Sequence, residues 1–120
     1  MPNQPERRKH PRVSVNGQVT GELLESAQEV IVRDLSLGGF LVESREGFIE
    51  DSVHEFRLAG AGGKLKTHLK ARSVYSHLRR VIGGPPSYLT GFEFVEPRGT
   101  EAQARLIELI SQVTSVVATR

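Results

Sequence analysis

The chain has 120 residues, 38% hydrophobic and 25% charged, with no Cys and no Trp, which predicts one compact domain and excludes disulfide and thiolate chemistry. Sixteen Lys+Arg against fourteen Asp+Glu leave a net charge of +2, too mild for charge alone to imply non-specific nucleic-acid binding. No apolar run is long enough to span a bilayer, and the basic N-terminus lacks an apolar segment of the secretory kind, so the expectation is a cytoplasmic protein.

Residues 1–12 hold Pro2, Pro5 and Pro11 without apolar periodicity, which predicts a flexible arm. The arm is basic: Arg7, Arg8, Lys9 and Arg12 surround His10, and Glu6 is the only acid before Glu22. From Val13 the pattern changes to alternation. Val13, Val15, Val19, Gly21 and Leu23 fall on one face, with Asn16-Gly17 as a bulge or turn. Val30-Ile31-Val32 and Gly39-Phe40-Leu41-Val42 are β-branched or apolar runs, and Asp34 to Gly39 between them reads as a turn. Val53 to Leu58 alternates, Gly60-Ala61-Gly62-Gly63 turns the chain, and Leu65 to Leu78 alternates again. Gly83-Gly84-Pro85-Pro86 breaks the chain before Tyr88 to Val95, in which Phe92 and Phe94 lie two apart. Strands joined by short turns without intervening helices predict an antiparallel barrel or sandwich. Beyond Pro97 and Gly99, Thr100 to Gln103 has capping-box spacing. Leu106, Ile107, Leu109, Ile110, Val113, Val116 and Val117 then recur at helical spacing. That stripe predicts one amphipathic helix packed on the barrel, with a seam between two copies as the alternative use.

Few arrangements carry catalytic chemistry. No nucleophile-elbow, zinc-protease, Walker or dinucleotide motif is present. His10, His54, His68 and His77 are dispersed, with no spacing that forces one beside Ser36. The expectation is a protein that is not an enzyme, with no catalytic residues, no metal site and no cofactor.

Two motifs remain. One is Arg8-x-x-x-Arg12 on the arm; the other is Asp34-x-Ser36-x-x-Gly39 between two strands. Guanidinium groups bind phosphate oxygens and the O6/N7 edge of guanine bidentately, and they stack on purines. Asp34 can accept from a guanine edge, Ser36 can donate to a phosphate or hold the turn, and Gly39 leaves room where a side chain would strike a base. The pair points to an anionic ligand with base edges.

Together with the strand series, these motifs make the chain resemble the PilZ family of cyclic di-GMP receptors. Gly38 and Phe40 extend the likeness around the second motif. Ala71 to Tyr75 and Tyr88 to Val95 resemble the family's later strands. The resemblance implies an all-β fold with a C-terminal helix: a six-stranded antiparallel barrel over residues 13–99, the arm over 1–12, and the helix over 100–120. It implies cyclic di-GMP as the ligand, held by Arg7, Arg8, Arg12, Asp34, Ser36, Gly38 and Gly39. Arg7, just before the first motif, resembles members that take an intercalated pair of ligands. Arg72 and Arg79 reach the ligand if their strand faces it. On this reading the arm folds over the ligand and alters a surface for a downstream protein, which the sequence does not identify. The competing readings are a small barrel for RNA or single-stranded DNA and a ligand-independent adaptor. The first is disfavoured because it needs exposed aromatics for stacking, and of only seven aromatics Phe56, Phe92 and Phe94 look like core.

Overall fold

The computed structural model describes residues 12–15, 17–95 and 101–118, with side chains of the last segment as far as Val113. The strands are β1 (Val13–Ser14), β2 (Val19–Leu23), β3 (Gln28–Leu35), β4 (Gly39–Ser44), β5 (Val53–Gly60), β6 (Lys66–Arg79) and β7 (Ser87–Phe94), followed by helix α1 (Glu101–Ala118). All pairings are antiparallel, in the order β3-β2-β5-β6-β7-β4, and β4 pairs back onto β3. Six strands therefore close a barrel and leave no free edge among them. The two-residue β1 adds to the end of β3, with Ser14 opposite Asp34 and Val13 opposite Leu35.

The barrel forms because alternate residues point inward. Val19, Leu23, Val30, Val32, Leu35, Phe40, Val42, Phe56, Leu58, Leu69, Ala71 and Phe92 are buried. Phe40, Phe56 and Phe92 meet with ring centroids 4.9–5.5 Å apart, at tilted or edge-on angles that aromatic quadrupoles favour. Helix α1 closes the barrel with Leu106, Leu109 and Val113, while Ile107 stays exposed. The described part of the stripe thus serves the core. Val116 and Val117, like the capping residue Thr100, lie outside the described side chains. Where the helix crosses β5, Gly60 lies under Leu109 and Gln112, and a Cβ there would come within 2.6 Å of the Gln112 side chain.

The first alternating stretch is two strands, broken near Gly17 where a bulge or turn was expected, and the Gly17 φ of 80° suits glycine. Two other features differ from the sequence expectation. The expected turn from Asp34 shrinks, because Asp34 and Leu35 are paired residues of β3. Finally, β3 and β6 each carry a bulge, between Val32 and Asp34 and between Ser73 and Tyr75. A bulge resets the alternation, so consecutive residues can share one face.

Candidate functional site

The end of β3 builds the site. Across the bulge, Arg33 and Asp34 both lie away from the core, and Leu35 returns to it. The Arg12 guanidinium donates to Asp34 Oδ1 at 3.2 Å across 22 residues of sequence. Both side chains are only a fifth to a quarter exposed, so water screens the pair less than it would an open surface bridge. The two sequence motifs therefore meet in one contact. Arg7 and Arg8 lie outside the described residues.

Ser36 and the glycines shape the adjoining turn. The Ser36 hydroxyl accepts from the N–H groups of Gly38 and Gly39 at 3.1 and 3.2 Å and donates to the Gly39 carbonyl at 3.2 Å. A hydroxyl has one donor and two acceptor sites, so its capacity is fully engaged. Ser36 is 4% exposed, and of the two roles open to it, holding the turn is the one its contacts serve. Gly38 passes the turn on to β7, its carbonyl accepting from Phe94 N–H at 2.9 Å. Gly39 is glycine for a backbone reason: a Cβ would stand 2.0 Å from the Phe92 carbonyl oxygen. The space that sequence reasoning assigned to a base is filled by strand β7.

Strand register sets the surroundings. Ser14, Asp34, Leu41, Gly91 and Tyr75 occupy one row across β1, β3, β4, β7 and β6. The next outward row along includes Gly39, Glu93 and Arg72. The floor between Asp34 and Tyr75 is Leu41 and a glycine, so it is shallow and carries no charge. Tyr75 reaches across β7: its Cε2 and Cζ atoms lie 2.5 and 2.7 Å from where a Gly91 Cβ would stand.

Ion pairs fence this floor. Arg72 donates to Glu93 at 3.2 Å in the Gly39 row. On the other side Glu43 receives Arg33 Nε at 2.8 Å, Arg79 at 3.2 Å and the Ser87 hydroxyl at 2.6 Å. The Ser87 hydrogen bond, then Arg33 and Arg79, hold the Glu43 carboxyl below its ordinary value against the opposing effect of burial. Arg72 therefore borders the Asp34 floor, whereas Arg79 is engaged at Glu43. No Asp or Glu occurs between Glu55 and Glu93, so β6 contributes cations without acids. Sequence reasoning missed Arg33, Glu43 and Tyr75. The signal for Tyr75 was the broken alternation after Ser73; Glu43 had none, because its partners come from three other strands.

Catalytic chemistry finds no support in the one serine–histidine–carboxylate chain among the described contacts. His54 bridges Ser52 Oγ at 2.8 Å and Glu25 Oε1 at 3.1 Å. The Ser52 hydroxyl donates to the Ile49 carbonyl, so its proton is not held by the imidazole as a nucleophile's would be. Among the described residues no cluster of His, Asp and Glu could hold a metal ion, and no helix is long and apolar enough to cross a membrane.

Comparison with curated proteins returns no match. Among solved structures, the PilZ domain of YcgR from Escherichia coli, solved with c-di-GMP, is similar at a TM-score of 0.66 and 19% identity, covering 95% of this chain and 99% of that one. The K. pneumonia MrkH–c-di-GMP complex is similar at 0.70 and 13%, covering 95% of this chain and 56% of MrkH. A further MrkH structure, described as that of a c-di-GMP-dependent transcription regulatory factor, gives 0.70 and 12%, covering 91% and 52%. At these identities the likeness is one of fold. The family model for the PilZ domain matches residues 6–112, a span that takes in both motifs, all seven strands and most of the helix, and the chain belongs to the PilZ domain family.

Proposed function

We propose that the chain is a cyclic di-GMP receptor module rather than an enzyme, acting in the cytoplasm through binding. The observation that carries this reading is the Arg12–Asp34 contact, which joins the two motifs on the barrel's outer face. YcgR and MrkH, which share the fold, were solved with c-di-GMP. Arg12 supplies a guanidinium to a phosphate or guanine edge, and Asp34 accepts from guanine N–H groups. Ser36, Gly38 and Gly39 hold the turn that aims Asp34. Arg7 and Arg8 close over the ligand from the arm, and a third arginine suits the four phosphate charges of an intercalated pair. The arm's ordering changes the surface presented to a downstream protein. A homodimer through α1 draws little support, because Leu106, Leu109 and Val113 are used in the core.

The test is calorimetric titration with cyclic di-GMP, cyclic di-AMP and GTP. Each charge-assisted hydrogen bond is worth about 1.5–3 kcal/mol, so Arg12→Ala or Asp34→Ala weakens cyclic di-GMP binding by at least about tenfold while the fold is retained. Two ligands per chain at saturation support the pair. Wild-type affinity in both variants, or no binding by the unmodified chain, refutes the reading.

A further inference from the structure

We propose that Tyr75 is a purine-stacking platform for this site, an inference that rests on the cyclic di-GMP reading above and adds a subsite opposite Asp34. All five phenylalanines take part in the core ring cluster. Tyr75 does not: it is 38% exposed on the outer face. The β6 bulge puts it there, since Val74 and Tyr75 are consecutive and both exposed. Its ring then leans over Gly91, toward Leu41 and Asp34. Strands lie about 4.8 Å apart, so the backbones of Asp34 and Tyr75 are about 14 Å apart across three spacings, and the leaning ring shortens that gap to about 10 Å.

A flat base laid over Leu41 and on the face of the Tyr75 ring, which itself covers Gly91, can present its edge to the Asp34 carboxylate. Such stacking tolerates any aromatic but not an aliphatic side chain. Gly91 fixes the arrangement, because any Cβ at that position would strike the ring. The platform is therefore set before ligand arrives, which lowers the ordering required on binding. His77 lies beside the ring at 5.0 Å, and Arg72 stands in the neighbouring row. The class of group recognised is a purine base next to a phosphate.

The experiment uses the full chain and cyclic di-GMP, read by calorimetry and tyrosine fluorescence. The protein has two tyrosines and no tryptophan, so Tyr88→Phe leaves Tyr75 as the only strong emitter. Saturation of that variant is expected to quench its emission with the midpoint of the calorimetric isotherm. Tyr75→Phe is expected to bind within about twofold of wild type and Tyr75→Leu about tenfold more weakly, with urea unfolding confirming that both are folded. Wild-type affinity in Tyr75→Leu, or unchanged emission in saturated Tyr88→Phe, overturns the stacking role and leaves the receptor reading intact. Absence of cyclic di-GMP binding by the unmodified chain overturns both. The fluorescence arm keeps Tyr75 in place, so it decides the matter even if Tyr75→Leu does not fold.

Discussion

Replacing Ser36 by alanine separates two roles that a hydroxyl in this motif can play. In the structure the oxygen accepts from Gly38 N–H and Gly39 N–H and donates to the Gly39 carbonyl. The carbonyl loses little, because it also accepts from Ser36 N–H at 2.9 Å. The two glycine N–H groups lose their acceptor. Gly39 is buried and Gly38 half-buried, so the first bears most of a desolvation penalty of about 1–3 kcal/mol and the second a smaller part. Ser36→Ala is therefore expected to destabilise the fold by about 2–3 kcal/mol. For a domain of this size that lowers Tm by roughly 6–15 °C. Urea unfolding measures it as a lower midpoint at unchanged slope. Cyclic di-GMP binding weakens only as far as the turn loosens, and Ser36→Thr, which keeps the hydroxyl, recovers part of the stability. The opposite pattern, unchanged stability with binding abolished, would show that the hydroxyl belongs to the ligand and would refute the assignment to the turn.

Gly39→Ala is expected to cost at least about 3 kcal/mol, since a Cβ 2.0 Å from a backbone carbonyl forces β4 away from β7; a soluble variant with wild-type urea midpoint would contradict this. Acid is expected to weaken the strand network around Glu43. Its carboxyl titrates below the ordinary 4.5, so its contribution is present above that value and is lost as pH falls through the lower folded value. Arg33 and Arg79 are more than a third exposed, which limits the contribution to about 1 kcal/mol or less. The stability difference between wild type and Glu43→Gln should therefore shrink on going from about pH 6 toward pH 3; a difference independent of pH would count against the network.

Much of this architecture was readable in the residues. Period-two burial in β5 and the first half of β6, the glycine turn after Gly60 and the helical stripe of Leu106, Leu109 and Val113 follow from local patterning, and the structure has them where the pattern put them. The two motifs were legible as residue types at a spacing. Less legible was what each residue does. Ser36 and Gly39 serve backbone contacts with β4 and β7, and such partners depend on strand order rather than on neighbours in sequence. The Glu43 network was invisible for the same reason, its contacts coming from β3, β6 and the start of β7. The end of β3 was shortened in the sequence reading because Asp and Ser favour turns, whereas pairing with β1 and β4 holds Asp34 in the strand.

The bulges in β3 and β6 flank the same patch of outer wall, at Asp34 on one side and Tyr75 on the other. Each absorbs one added residue, so that the inward positions resume one place later in the chain, as Val30 and Val32 are followed by Leu35. On the proposed reading, the chemistry that faces a ligand is thereby uncoupled from the packing: a deletion or exchange at Arg33 or Val74 would rewrite what a small molecule meets while the hydrophobic interior keeps its phase. A scaffold with that property can be re-aimed at a new messenger by editing two short stretches, with no redesign of what lies beneath them.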